Sequence, residues 1–320
     1  MKYQSCNYCS GTRYTQIRPY PGFEGVELVV CDTCGLMQAQ PVPPSEFLEK
    51  YYQSTFGNSQ GAGFEMPDTS EKGFRLRATL QFNFVKTLVG VEPAREGQKR
   101  VLDVGCHAAS FLSLFKERGW DVTGVDPNPR SRYGDKWYGI KVIETMFKPG
   151  MFPDNSFDAI LHSHSLEHVS DPKGVLEEFR RVLRPGGWVF IEVPNESLDK
   201  VRTQKVIPHL YFFTPETLDR LASAAGFEVL STCVLGIGTN KGKIFTPARL
   251  RWLRLRWQAR YDARGRMRLE TLLPFYGRLF KKDRYFKCYT PQADMLRALL
   301  RKPLTQGPTA TEARLVAHAK

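Results

Sequence analysis

Three groups of residues in this 320-residue chain have the types and spacing to do chemistry. The first is Cys6-Asn7-Tyr8-Cys9 and Cys31-Asp32-Thr33-Cys34, two C-x-x-C pairs with 21 residues between Cys9 and Cys31. Four thiolates so spaced, on two knuckles with Gly35 after the last cysteine, can close a tetrahedral zinc site. Four protein ligands leave no open position, so zinc there would be structural, stabilising a module too small to fold on its own core. The second group is a pair of acids, Asp103 and Asp126, 23 residues apart. A carboxylate at the second of these places can accept both hydroxyls of a ribose. The third is histidine-rich: His162, His164 and His168, beside Glu167, fall within seven residues, and His209 follows. An imidazole titrating near neutrality can take a proton from a hydroxyl or an activated carbon. A metal site is the other reading, but His162 and His164 share one face only if their strand continues.

The elements that must hold these residues can be read around them. Val101 to Val104 is a short apolar run, Gly105 a turn, and Phe111, Leu112, Leu114 and Phe115 repeat at helical spacing until Gly119. Val122 to Val125 is a second strand that ends on Asp126. Strand, tight turn, helix, strand and acid make a nucleotide-binding βαβ unit. A nicotinamide-binding version would require G-x-G-x-x-G; Gly105, His107 and Ser110 occupy those places, and two of the three fail. Further strands are expected at Lys141–Ile143, Phe157–Leu161, Trp188–Val193 and Phe227–Val234. The C-terminal end of the Phe157 strand carries the histidines, where open α/β sheets place their ligands. Helices are expected from Asp171-Pro172 and from Thr214, which caps a helix with Pro215 at its first position.

Four segments extend the pattern: Leu102-Asp103-Val104-Gly105-Cys106, Phe152-Pro153-Asp154-Asn155-Ser156-Phe157-Asp158, Leu166-Glu167-His168-Val169 and Leu183-Arg184-Pro185-Gly186-Gly187. Together they resemble the class I S-adenosylmethionine (SAM)-dependent methyltransferases over roughly residues 99–235. The subgroup is the one with an N-terminal zinc-binding module, similar to enzymes of sugar and polysaccharide pathways. Gly35-Leu36-Met37 followed by Pro41, Pro43 and Pro44 also resembles its start. The resemblance implies an α/β fold, a Rossmann-like seven-stranded sheet behind a zinc ribbon, with SAM and structural zinc as cofactors. It implies that Asp103, Gly105, His107, Asp126, Met146, Phe147 and His162 bind SAM, with Glu144 the nearest acid to the adenine. It gives His209, His168 and His164 as catalytic candidates, with Glu167-His168 opening a helix. A loop over residues 53–70, the aromatics Tyr51, Tyr52, Phe56 and Phe64, and a helix from about Lys72 to Val89 would cover the site. The family turn reads G-x-G-x-G, and here His107 and Ala109 replace two glycines. Either the imidazole touches the cofactor or the site is weakened. The implied reaction is methyl transfer to a small acceptor, a sugar, nucleotide-sugar or glycolipid. An RNA methyltransferase and a catalytically silent binding module are the alternatives.

Composition sets the remaining bounds. At 42% hydrophobic and 12% aromatic the chain is globular. It has no run of about 18 apolar residues to span a membrane, and no signal-peptide core at its start. A cytoplasmic place is therefore expected, where seven cysteines suit metal or free thiols better than disulfides. The net charge is +13, but residues 241–320 alone carry +15 and the rest −2. The expected division is a ribbon (1–40), a helical lid and linker (41–98), the SAM-binding core (99–240), a basic helical insertion (241–283), the last sheet strand (284–291) and a tail (292–320). Arg284 to Thr290 alternates and is aromatic, which suits that last strand. Arg251, Arg254 and Arg256, interleaved with Trp252 and Trp257, suit peripheral contact with an anionic membrane through 246–287, near a lipid-linked acceptor. Nucleic acid is the lesser expectation, since no stacking aromatics accompany a basic groove in the core.

Overall fold

The computed structural model describes residues 3–20, 23–50, 68–95, 97–203, 209–235, 287–288 and 295–304. The aromatics Tyr51, Tyr52, Phe56 and Phe64, the basic stretch 246–282 and the chain beyond 304 lie outside the described residues. In chain order the elements are β1 (Tyr14–Pro19), β2 (Glu27–Cys31), β3 (Met37–Gln40), α1 (Ser45–Lys50) and α2 (Asp68–Val89). Then come β4 (Arg100–Val104), α3 (Ser110–Lys116), β5 (Asp121–Val125), α4 (Tyr133–Tyr138), β6 (Val142–Ile143) and β7 (Phe157–Ser163). Next are α5 (Pro172–Val182), β8 (Leu183–Pro194), α6 (Leu198–Thr203), β9 (Tyr211–Phe212) and α7 (Pro215–Ala224). The last are β10 (Glu228–Leu235), β11 (Lys287–Cys288) and β12 (Met295–Arg301).

The large sheet runs β11-β10-β12-β8-β7-β4-β5-β6. The β4, β5, β6, β7 and β8 pairings are parallel, and β12 is antiparallel to both β8 and β10. Both faces of this sheet are covered, so its strands are apolar runs rather than alternations. Ile160, Val189 and Ile191 pack with Leu176, Phe179, Leu218 and Leu221 of α5 and α7. Ala159, Leu161 and Phe190 pack on the other side with Phe111 and Phe115 of α3 and Phe82 of α2. The helix ends are chemically set: Asp171 accepts the Gly174 N–H at 2.8 Å, and Thr214 and Thr217 close a reciprocal capping box on α7.

Two expectations are corrected here. The antiparallel strand is Met295–Arg301, inserted between β8 and β10, and not Arg284–Thr290. Of the latter stretch, Lys287 and Cys288 pair parallel to β10 at the sheet edge. The inserted strand buries Leu296, Ala298, Leu299 and Leu300, and its buried charge, Arg297, meets Glu192 of β8. A strand closed in on both faces requires such a run, which a search for alternating aromatics passes over. What was expected to be tail thus contributes a central strand. Leu166–His168 is also a single 3₁₀ turn, and the helix after β7 begins only at Pro172. Among the described residues, no helix is long and apolar enough to cross a membrane.

Candidate functional site

The turn after β4 takes the backbone path that glycines would favour, although two of them are missing. Gly105, His107 and Ala109 all have positive φ, at 77°, 47° and 55°. Non-glycine residues held there cost of order 1–3 kcal/mol each and persist only where surrounding bonds over-determine them. Those bonds are present. Asp126 Oδ2 accepts the His107 N–H at 2.7 Å and Oδ1 accepts the Asn128 N–H at 2.8 Å. The Gly105 N–H donates to the Val125 carbonyl at 2.8 Å. At Gly105 itself a Cβ would fall within the Ser165 side chain. The His107 ring lies 4.9 Å from the Phe74 ring of α2. Burial, with Arg130 nearby, lowers its pKa to about 4, so the imidazole is neutral.

Above this turn, at the C-terminal ends of β4, β5 and β7, is a cavity of about 380 Å³. Asp103, Gly105, His107, Asp126, Met146, Phe147 and His162 all line it. Glu144 is not among the lining residues and instead accepts the Ser131 hydroxyl at 3.3 Å. Burial raises the pKa of Asp126 to about 6 against its two backbone donors. Asp103 is pushed up by burial and then by Asp126. His162 is fully enclosed, and burial lowers its pKa to about 4. Its Nδ1 lies 2.8 Å from the Val104 carbonyl and so carries the proton. That leaves Nε2 as a buried acceptor with no partner among the described residues. The cavity size, the unused lone pairs of Asp126 and the orphaned His162 Nε2 fit a nucleoside that also carries an ammonium group.

The opposite wall is a knot of imidazoles and carboxylates. His164 has φ 52° and lines the cavity. Its Nδ1 lies 3.4 Å from Glu167 Oε1 and its Nε2 3.4 Å from Glu192 Oε1. Burial opposes its charge, but the two carboxylates outweigh burial and raise its pKa. Burial likewise opposes charge on Glu167, yet His164, His168 and His209 hold that carboxyl down at about 2. His168 lines the cavity, whereas His209 does not. The His209 ring packs 4.8 Å from that of His168, with Nδ1 3.7 Å from Glu196 Oε1.

Several of these residues were not singled out from sequence. Glu192 draws in Arg77 at 2.7 Å and Gln81 at 2.9 Å from α2, and Arg297 from β12. Phe74, Arg77, Ala78 and Gln81 line the cavity from one face of α2, a spacing of three and four that helix periodicity could have shown. No local signal marks Glu192 or Glu196, whose partners come from other elements.

The four ribbon cysteines form a separate centre. Cys6 and Cys34 sulfurs are 3.6 Å apart, those of Cys9 and Cys31 3.5 Å, and all four lie within 4.8 Å of one another. A disulfide would need about 2.05 Å. Four thiolates on a zinc at about 2.3 Å stand about 3.8 Å apart, so this donor set fits tetrahedral zinc. The Gly35 N–H closes one knuckle on the Cys31 carbonyl at 2.8 Å. The ribbon also touches the histidine wall: the Tyr20 hydroxyl donates to the His209 carbonyl and the Ala39 N–H to the Leu210 carbonyl, both at 2.8 Å.

The sheet order, with its antiparallel strand between β8 and β10, is that of the α/β methyltransferase fold. Residues 75–232, just under half of the chain, match the family model described as "Methyltransferase domain". A curated relative, the ubiquinone biosynthesis O-methyltransferase of Idiomarina loihiensis, is 28% identical over 172 residues, 47% of this chain and 66% of that protein. The counterpart from Aeromonas salmonicida is 29% identical over 152 residues, 41% and 63% of the two chains. This chain thus spans just under two thirds of the length of either relative. The solved 1,6-didemethyltoxoflavin-N1-methyltransferase of Burkholderia thailandensis is 17% identical, with a TM-score of 0.47, covering 89% of this chain and 99% of that one.

Proposed function

We propose that the protein transfers the methyl group of SAM to an oxygen of a small acceptor. The observation that carries this reading is the Asp126-tied turn beneath the cavity, with His162 Nε2 unpartnered beside it. When bound, SAM supplies an already activated methyl group, so the protein has two tasks: to align the acceptor and to receive its proton. Asp126 would hold the ribose, Met146 and Phe147 the adenine, and His162 Nε2 the ammonium. His164 suits the proton-accepting role among the three candidates because it lines the cavity and, with Nδ1–H directed to Glu167, its Nε2 can receive the acceptor's proton once the ring turns from Glu192. His209 and His168 would then shape the acceptor wall. The relatives' names favour oxygen as the acceptor atom. Phe74, Phe111 and Val175 in the lining favour an acceptor with an apolar face, so the sugar or glycolipid implied by the resemblance becomes one arm of an acceptor screen, with phenols as the other. The ribbon is proposed to hold one structural zinc.

Calorimetric titration with SAM tests the cofactor: a dissociation constant at or below the micromolar range is expected, and no heat of binding sinks the reading. His164→Gln is expected to lower turnover by roughly 10²–10⁴-fold with SAM affinity kept. Full turnover in that variant would remove the assignment of the proton acceptor.

A further inference from the structure

We infer that Glu167, His168 and His209 form a second metal site, which takes a divalent transition-metal ion at the acceptor side of the cavity. Each offers one ligand atom, and the three lie within 4.8 Å of one another. Glu167 is 1% exposed, and neither of its carboxylate oxygens has a hydrogen-bond partner among the described residues. A buried ionised carboxylate is normally hydrogen-bonded, paired or bound to a metal, because leaving it bare is costly. Among the described residues the carboxylate is held only by imidazole pairs at 3.4 Å (His164) and 3.8 Å (His168), longer than ordinary charge-assisted hydrogen bonds of about 2.7–2.9 Å. Two imidazoles and one carboxylate are a common donor set for zinc, iron and cobalt. Metal bonds of about 2.0–2.2 Å put tetrahedral donors about 3.3–3.6 Å apart, so closure on an ion shortens the widest separation by up to about 1.4 Å, shared between two side chains and within reach of imidazole rotation.

The backbone around the trio is fixed before any ion arrives. The Leu210 N–H donates to the Glu167 carbonyl at 2.7 Å and Tyr20 holds the His209 carbonyl. Glu196, 3.7 Å from His209 Nδ1, adds the kind of outer carboxylate that orients metal-bound imidazoles. Three protein ligands leave open positions on the ion. His168 is in the cavity wall, so the ion borders the space where the acceptor sits. The ligand class for the open positions is an alcohol or phenol oxygen, which the ion would polarise. The metal site itself is independent of the methyl-transfer reading, because ion binding is measured with neither SAM nor acceptor present.

The test is dialysis of the full-length protein against excess zinc, then removal of free ion and elemental analysis. Glu167→Gln and His209→Gln are each expected to hold one ion fewer per chain than the unsubstituted protein, while Cys9→Ser loses a different ion. Thermal melting of the zinc-free proteins checks folding, and His168→Gln replaces any variant that does not fold. Equal zinc content in the unsubstituted protein and the folded variants overturns the site, whatever the outcome with SAM.

Discussion

At the scale of single residues, Asp126 does two jobs with one carboxylate. It pins a turn that lacks two of its glycines, and it keeps lone pairs for a ligand. Replacing it with Ala removes charge-assisted hydrogen bonds worth about 1.5–3 kcal/mol, so SAM affinity is expected to fall at least tenfold. Its raised pKa, about 6, gives a pH signature. In the proposed complex ribose hydroxyls donate to the ionised form, so affinity should be level above pH 7 and weaken roughly tenfold per unit below 6. The folded protein without SAM moves oppositely. Between the ordinary carboxylate pKa and about 6 the native state binds the proton that the unfolded chain has lost, so this group's contribution to stability rises as pH falls through that window. Calorimetry and melting across pH 5–8 check both signs, and Asp126→Asn should flatten both. The strand, turn, helix and acid around Asp126 were readable because they are contiguous. The fate of His107 was not, since Phe74, which meets its ring, lies on a helix 33 positions earlier in the chain.

At the scale of elements, the ribbon and the histidine wall share a sheet. β9 begins two residues after His209 and pairs with β3, Met37 opposite Phe212 and Gln38 opposite Tyr211. Cys9→Ser is therefore expected to do more than abolish the proposed zinc site. Amide exchange should accelerate at Leu210 and Phe212 as well as in β1 and β2, while β4 and β7 stay protected. Unchanged exchange at Leu210 and Phe212 would mean that β9 is held by the core alone. The cysteine centre was legible from spacing because metal geometry constrains sequence locally. Strand β12 was not, because Met, Leu, Ala and Arg favour helices in isolation and a doubly covered sheet position overrides that preference. Glu192 was equally hidden: its value lies in gathering Arg77, Gln81 and Arg297 from helix and strand.

At the scale of the whole molecule, charge is divided along the chain, with +15 on residues 241–320 and −2 on the rest. The proposed contact with an anionic surface predicts co-sedimentation with acidic vesicles at low salt and release at high salt, since such attraction fades within a Debye length. Protein left in the supernatant at low salt removes that contact. The strand shared by ribbon and core also bears on synthesis. Chains emerge from their N-terminus, so β1, β2 and the four cysteines are complete early, while the partner of β3 appears only with Tyr211 and Phe212. Until then β3 presents a bare edge whose residues, Met37 to Gln40, are all buried in the finished fold. Such an edge is a template for pairing with another chain. The nascent protein thus passes through a stage in which a cysteine-bearing hairpin waits for most of the large sheet to be translated. Slow elongation between Gln40 and Tyr211 should therefore lower soluble yield more than equal slowing after Phe212.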